Sequence, residues 1–484
     1  MAGKSKLLDY EPISNPRRSN VPRDQAFEAE STRRSRADSE KTFDSDGRDG
    51  SAASAQAVSA QPSELLKRGH TLTFAGLFLF TFLVFFRPYE FSPSLHWLSK
   101  GALITGIATL IFYIPTQLGL ENRITIRTRE VNLILILLVL CLLSVPFALD
   151  KFRAWGGFVE YLKVVIIFLV LVNALRTEKQ LKALLFLVLT ATCILSLSAI
   201  DDYRTGNFEL RGQRVKGAIG NLFDNPNDLA LHLVSFFPIV IGLALGARNR
   251  VARTIYFGIA LTILGGTVAT FSRGGFLGLV FVMGTIVWRL GKRNRTLVVI
   301  AAGFLFAAFL VLAPGAYRQR VTTMGDPSAE TRKGDLKRSV YLALRNPING
   351  VGMDNFVLYS DRELATHNSY TQVASELGLP AAAVYILFLI AAIRRLRRIP
   401  APRELDKRQR RLPYLAIGLE ASLIGYMVTS FFASVAYLWY VYYLVGYAIC
   451  VSRLWETSLA IQSKDLPPSA IEAGSHGQRL VSSY

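Results

Sequence analysis

The chain has 484 residues, of which 51% are hydrophobic, 11% aromatic and only 19% charged, with a formal net charge of +20. Soluble domains carry about 25% charged residues, and the apolar residues here fall in repeated runs long enough to cross about 30 Å of hydrocarbon, which excludes a soluble globular enzyme. The basic excess sits in short loops and near the N-terminus, so membrane orientation and anionic headgroups account for it better than nucleic acid.

Residues 1–68 are rich in Ser, Arg, Asp, Glu and Ala without apolar periodicity, which reads as a disordered cytoplasmic tail. The first apolar run begins near Thr71, too far in for a secretory signal peptide, and is read as a retained span. Twelve such runs follow, at about 70–87, 96–115, 131–149, 155–174, 181–200, 228–246, 252–271, 274–290, 296–314, 379–394, 412–431 and 435–452. They predict an all-α polytopic membrane domain over 69–455, with both termini on one side and a second cytoplasmic tail at 456–484. Connections on the tail side are basic throughout: Arg123, Arg127 and Arg129; Arg176, Lys179 and Lys182; Arg248, Arg250 and Arg253; Arg289, Lys292, Arg293 and Arg295; and the run from Arg394 to Arg411. Short connections on the other side are poorer, as the positive-inside rule requires.

Two segments on that other side break the pattern, about 201–227 and 313–378, and loops of such length are usually functional or disordered. The first holds Arg211-Gly212-Gln213-Arg214-Val215-Lys216-Gly217 and then Asn225-Pro226-Asn227-Asp228, where Asn and Asp cap the next helix. Free N–H groups at that helix start, beside Arg211, Arg214 and Lys216, suit a phosphate; ordinary capping beside lipid headgroups is the plainer reading. Arg273, in Ser272-Arg273-Gly274-Gly275, lies close enough to hydrocarbon to need an anion, a carbonyl cluster or a water-filled cavity, unless it snorkels to the interface.

The second segment has helical spacing in Leu336, Val340, Tyr341 and Leu344, then turn chemistry in Asn346-Pro347 and Gly350-Val351-Gly352. Residues 314–378 are expected to form a structured lid on the membrane surface. Its basic side chains Arg332, Lys333, Lys337, Arg338 and Arg345 face either lipid phosphate or solvent. His367, in His367-Asn368-Ser369-Tyr370, has the side chain suited to proton transfer near neutrality, or is a hydrogen-bonding loop residue. Glu376 either orients an acceptor or caps a helix.

Within the spans, Glu160 and Lys163 are spaced to pair, whereas His232 and Glu420 look isolated. Cys141, Cys193 and Cys450 read as small buried apolar residues, and no Cys/His spacing predicts a protein-built metal site. Tyr437, Trp439, Tyr440, Tyr442 and Tyr443 read as an interfacial belt, or as a surface for stacking sugar.

Taken together, Arg214-x-x-Gly217, Asn225-Pro226-Asn227, Ser272-Arg273-Gly274, the run Arg345-Asn346-Pro347-Ile348-Asn349-Gly350-Val351-Gly352-Met353-Asp354-Asn355-Phe356, and His367-Asn368-Ser369-Tyr370 with Glu376-Leu377-Gly378 resemble the O-antigen ligase and O-antigen polymerase family of bacterial inner-membrane proteins. The resemblance covers about 70–455. It implies an inverting glycosyltransferase of the GT-C type that needs no metal or other cofactor. The donor it implies is an undecaprenyl-pyrophosphate-linked glycan on the periplasmic face, and the acceptor another glycan or lipid A core. On that resemblance Arg214 and Arg273, with Arg211 and Lys216 nearby, hold the pyrophosphate. His367 sits at the acceptor hydroxyl, and Asn225, Asn227, Asn368, Tyr370, Glu376 and Arg338 support the acceptor or the fold. The long tail and the distance from Gly217 to Asn225 depart from the family pattern, so either Arg211 or Arg214 is the family arginine. A secondary transporter of a small anion such as bicarbonate, or a lipid-linked glycan flippase, is the rival reading. Either would place its polar groups at mid-membrane.

Overall fold

A computed structural model describes residues 64–91, 93–207, 215, 225–290, 303, 327–360, 365–406 and 409–464. The spanning helices are α1 (Glu64–Phe86), α3 (Gly101–Glu121), α4 (Arg129–Ser144), α5 (Lys151–Ala174), α6 (Glu178–Thr205), α7 (Pro226–Gly246), α8 (Arg250–Ala269), α9 (Arg273–Leu290), α12 (Leu379–Arg397), α13 (Arg411–Thr429) and α14 (Trp439–Lys464). Three further α-helices lie among the described residues: α2 (Pro88–Phe91), α10 (Pro327–Arg345) and α11 (Ser369–Leu377). Eleven helices among the described residues are long and apolar enough to cross a membrane, and each matches one of the expected runs. The remaining run, 296–314, lies outside the described residues. Helix reaches into both segments read as tails, since α1 starts at Glu64 and α14 extends to Lys464.

Local chemistry explains the helix ends. Thr177 and Gln180 form a capping box at the start of α6, Asp150 caps α5 through the Arg153 amide, and Asn225, with Pro226 as the first helical residue, starts α7. The innermost helices are α7 and α13, with 78% and 72% of their apolar stretches buried. They approach closely because each puts a glycine against the other's backbone. A Cβ on Gly242 would lie 2.6 Å from the Tyr414 carbonyl oxygen, and one on Gly418 would lie 2.5 Å from that of Pro238. Small residues allow this approach where lipid supplies no hydrophobic drive between helices.

The two ends of the bundle differ. At one end, buried carboxylates meet arginines across helices: Glu130 accepts two 2.8 Å hydrogen bonds from Arg395, Glu121 pairs with Arg176 at 3.1 Å, and Glu420 meets Arg397 at 2.6 Å and Arg289 at 2.9 Å. Glu420 is therefore not isolated, because the last turns of α9 and α12 each bring an arginine to it. His232 is partnered too, by the Thr192 hydroxyl at 3.1 Å. Glu160 and Lys163 pair at 2.6 Å, as their spacing predicts.

The aromatic group at the start of α14 is neither an interfacial belt nor a sugar platform. Tyr440, Tyr442 and Tyr443 are buried, with Tyr442 donating to Tyr161 and Tyr443 hydrogen-bonded to Thr81. The Tyr442 and Tyr443 hydroxyls have partners inside the bundle, which removes their reason to sit at water, while Tyr440 packs edge-on against His232.

Arg395→Ala leaves the Glu130 carboxylate buried and unpaired, a change that costs about 3–5 kcal/mol. We expect a lower thermal midpoint in detergent for Arg395→Ala, largely restored in the Glu130→Gln/Arg395→Ala double variant. Equal loss in both would mean the pair contributes packing rather than charge compensation.

Candidate active site

At the opposite end, helix starts are bolted together. Asn225 Oδ1 accepts from the Asn227 amide at 2.9 Å and from Asn227 Nδ2 at 3.0 Å; Asn227 Oδ1 in turn accepts from Ser272 Oγ at 2.8 Å. Ser272 Oγ also accepts from the Gly275 amide at 3.2 Å, capping α9. Gly275 makes the approach possible, since its Cβ would lie 2.7 Å from that of Ala230. Phe271, buried and at φ +47, turns the chain from α8 into α9 and leaves Arg273 exposed as the first residue of α9. Arg273 thus stands beside two helix N-termini whose partial positive charges add to its own.

His367 is held from another direction. Thr366 Oγ1 meets Ser434 Oγ at 3.0 Å, Ser369 Oγ donates to the Ala433 carbonyl at 2.8 Å and accepts from the Val435 amide at 3.0 Å, and Tyr370 donates to the Met427 carbonyl at 2.7 Å. The histidine loop is thereby fixed to the α13–α14 hairpin. Asn368 caps α11 by accepting from the Tyr370 and Thr371 amides at 2.9 and 3.1 Å. His367 itself sits half-buried at φ +54, and a bulky residue kept in this region stores strain that points to function.

Arg332 joins the two halves. It acts electrostatically on Asp228, in the first turn of α7, and on His367. Asp335, one turn further along α10, accepts from Ser360 Oγ at 3.4 Å and lies within electrostatic reach of the imidazole. Burial holds the His367 imidazole below its ordinary value, Arg332 adds to that, and Asp335 opposes it. A neutral imidazole results, able to accept a proton.

The turn at 346–355 wraps the junction between α11 and α12. The Val351 and Gly352 amides donate to the Ser375 and Glu376 carbonyls at 2.9 Å each, and the Leu379 amide donates to Pro347 at 2.8 Å. Gly350, at φ +65, and Gly378, at φ +92, are required there. A Cβ on Gly350 would lie 2.3 Å from Glu376 backbone, and one on Gly378 would lie 2.2 Å from the Ile348 carbonyl. Asn355 then ties the turn to α5, accepting from the Asp150 amide at 2.8 Å and donating to its carbonyl at 3.1 Å.

Among the sequence candidates, the structure brings Asn225, Asn227 and Arg273 to one pair of helix starts, and Asn368, Tyr370 and His367 to the adjoining loop. Arg211, Arg214 and Lys216 lie outside the described residues. Arg338 is half-buried on α10, one turn beyond Asp335. Glu376 neither caps a helix nor faces His367; it is buried against the Tyr437 hydroxyl and the Asp354 and Phe356 amides. Sequence reasoning missed Asp228, read only as a cap, and left Arg332 among solvated charges. The apolar stripe of α10 faces outward. Val340, Tyr341 and Leu344 are exposed, and Asp335, Ser339, Leu342 and Ala343 face inward. An outward stripe of this kind suits a helix lying at a membrane surface. Among the described residues, no three His, Cys, Asp or Glu side chains converge as metal ligands would.

An all-α bundle with its strained loops and site candidates gathered at one end is a polytopic membrane protein built around a single polar site. A family model described as O-Antigen ligase matches residues 233–386. The matched stretch includes Arg273, Arg332, His367 and Glu376. No curated relative matches the chain.

Burial pushes the Glu376 carboxyl up to about 8 from an ordinary 4.5. As pH rises through that interval the unfolded chain ionises while the folded protein keeps its proton, so stability is lost on going alkaline and is unaffected below both values. Glu376→Gln should match the parent's thermal midpoint near pH 3.5 and exceed it near pH 9, about one unit beyond either end of that interval. A difference independent of pH would rule out this account.

Proposed function

We propose that the protein is an inverting, metal-independent glycosyltransferase of the bacterial inner membrane. It transfers glycan from an undecaprenyl-pyrophosphate carrier to an acceptor hydroxyl, as a ligase or a polymerase, during assembly of O-antigen, capsule or exopolysaccharide. The match to the O-antigen ligase family supports glycan ligation or polymerisation by a membrane enzyme. The observation that carries the finer reading is the fixing of the His367 loop to the α13–α14 hairpin, whose Phe432 packs on Gly274 beside the helix starts that present Arg273, with Arg332 in electrostatic reach of both Asp228 and His367.

In this reading the acceptor oxygen attacks the anomeric carbon while the bond from that carbon to the pyrophosphate oxygen breaks on the opposite face, inverting the centre. The acceptor proton passes to the neutral His367 imidazole. The leaving pyrophosphate, still on its lipid, gains negative charge, which Arg273 and the α9 N-terminus stabilise together with Arg211 or Arg214; guanidinium donates bidentately to phosphate oxygens. Fixed guanidinium charge there takes the place of a divalent cation. The α7 N-terminus is less suited to the anion than the sequence suggests, because the Asp228 carboxylate already occupies its first turn. The basic connections support a cytoplasmic Arg395 and Arg176 end, with both termini, and a periplasmic His367 end.

Arg273→Ala should abolish glycan transfer in a variant that still inserts into the membrane, and unprocessed lipid-linked glycan should accumulate. Transfer at parental rate by Arg273→Ala would remove the pyrophosphate clamp from the scheme. His367→Ala should slow transfer by about 10²–10⁴-fold, the usual contribution of a general base.

A base works in its neutral form, so the rate falls as pH drops through its pKa. Arg332→Gln removes a neighbouring cation and should move this acid limb to higher pH, whereas Asp335→Asn should move it lower. A pH–rate profile that stays put in both variants would separate His367 from proton transfer.

A further inference from the structure

Away from the His367 cluster, α1 and α3 pack through Gly69 and Gly76, where an added Cβ would lie 2.2 Å from Thr116 Oγ1 and 2.3 Å from Thr109 Oγ1. Toward the Arg87 end, a cavity of about 370 Å³ lies between this pair, α5 and Trp439, within the ~300–1,000 Å³ range of small-ligand sites. Its walls are apolar, including Leu83, Val84, Ile107, Leu110, Ile166 and Ile167. Leu103 and Ile107 line it and are also 51% and 53% exposed on the bundle surface, so it opens sideways toward lipid. The charged pair Glu160–Lys163 on its α5 wall is self-neutralised at 2.6 Å.

Arg87, at the outer end of α1, is built unlike an ordinary surface arginine. It precedes Pro88, yet its backbone is at φ +43, a left-handed conformation that costs a non-glycine residue energy. One terminal nitrogen donates to Glu90 at 2.8 Å, while the buried Nε has no hydrogen-bond partner among the described residues. Arg87 lies within electrostatic reach of Tyr440, as does Asp228. Two residues before Arg87, the Phe85 ring lies 6.1 Å from that of His232, one turn along α7 from Asp228, so the cavity's polar end adjoins the start of α7.

We propose that this groove seats the phosphate-proximal part of the donor's isoprenoid chain, with Arg87 Nε–H donating to a phosphate oxygen as the chain enters sideways from the bilayer. This rests on the glycan-transfer reading. An apolar wall open to lipid, closed at one end by an unsatisfied donor next to the reaction centre, fits a hydrocarbon chain that ends in an anion. It does not fit a free sugar or a small ion.

The test measures retention of glycan-free undecaprenyl pyrophosphate by the full-length protein in native mass spectrometry, with phosphatidylglycerol as the competing lipid. Ile107→Trp and Leu103→Trp put bulk into the groove from half-exposed positions, and Arg87→Lys keeps the charge facing Glu90 while removing the Nε donor. Each variant should weaken undecaprenyl pyrophosphate retention by about tenfold or more, with phosphatidylglycerol retention and thermal midpoint unchanged. Parental retention in both tryptophan variants, or equal loss of both lipids, would overturn the groove assignment while leaving the transfer reaction intact. If the parent protein retained no undecaprenyl pyrophosphate at all, the donor assignment itself would fail.

Discussion

The close contact between α7 and α13 is the constraint from which the site follows. Each helix carries one half of the polar machinery at its outer end. Asn227 and Asp228 open α7, while the α13–α14 hairpin supplies Met427, Ala433 and Ser434 to hold the histidine loop. Gly242 and Gly418 let the two backbones touch. A larger residue at either position would separate the helices along their length and carry the two halves apart. This is why the innermost, least chemically distinctive helices determine where Arg273 and His367 stand relative to one another.

Charge is handled in opposite ways at the two ends. Glu130, Glu121 and Glu420 are each met by an arginine from a neighbouring helix, which compensates their burial and locks the bundle. At the other end Arg273 is exposed and Arg332 lies between an aspartate and a histidine. A transporter of the kind weighed from sequence would invest its ionisable groups at mid-membrane. Here the intramembrane candidates Glu160 and His232 are occupied by local partners and Glu420 is paired at the arginine end, so they offer little to a passing ion.

The spans were legible because hydrocarbon thickness fixes their length and apolarity, and the eleven described helices fall where the apolar runs lie. Arg273, Asn227 and His367 were legible as residue types in unusual places. What the sequence hid depends on pairing across the fold. Arg332 resembles its neighbours Lys333 and Lys337 on a basic helix, and only the packing of α10 turns its side toward Asp228. The α10 stripe was legible as helical spacing, but that inward-facing Asp335 and Ser339 find partners in Ser360 and the Leu336 carbonyl depends on the fold. The tyrosines of α14 misled, since hydroxyls that find partners such as Tyr161 and Thr81 can be buried whole.

Backbone strain gives an independent indication of which end is functional. Five described residues other than glycine have positive φ: Arg87, Asn122, Phe271, Asp354 and His367. Asn122 is an ordinary left-handed helix cap, with its amide donating to Leu118 at 2.9 Å, at the arginine-paired end. The other four lie at the end that carries Arg273. Phe271 aims Arg273, Asp354 accepts from Arg153 at the turn that braces α11, and His367 and Arg87 are themselves strained. Such conformations persist only where surrounding structure over-determines them. The Ser272–Asn227 bond, the 346–355 turn and the α13–α14 hairpin supply that surrounding structure, so the stability of the bundle is what keeps these side chains in position.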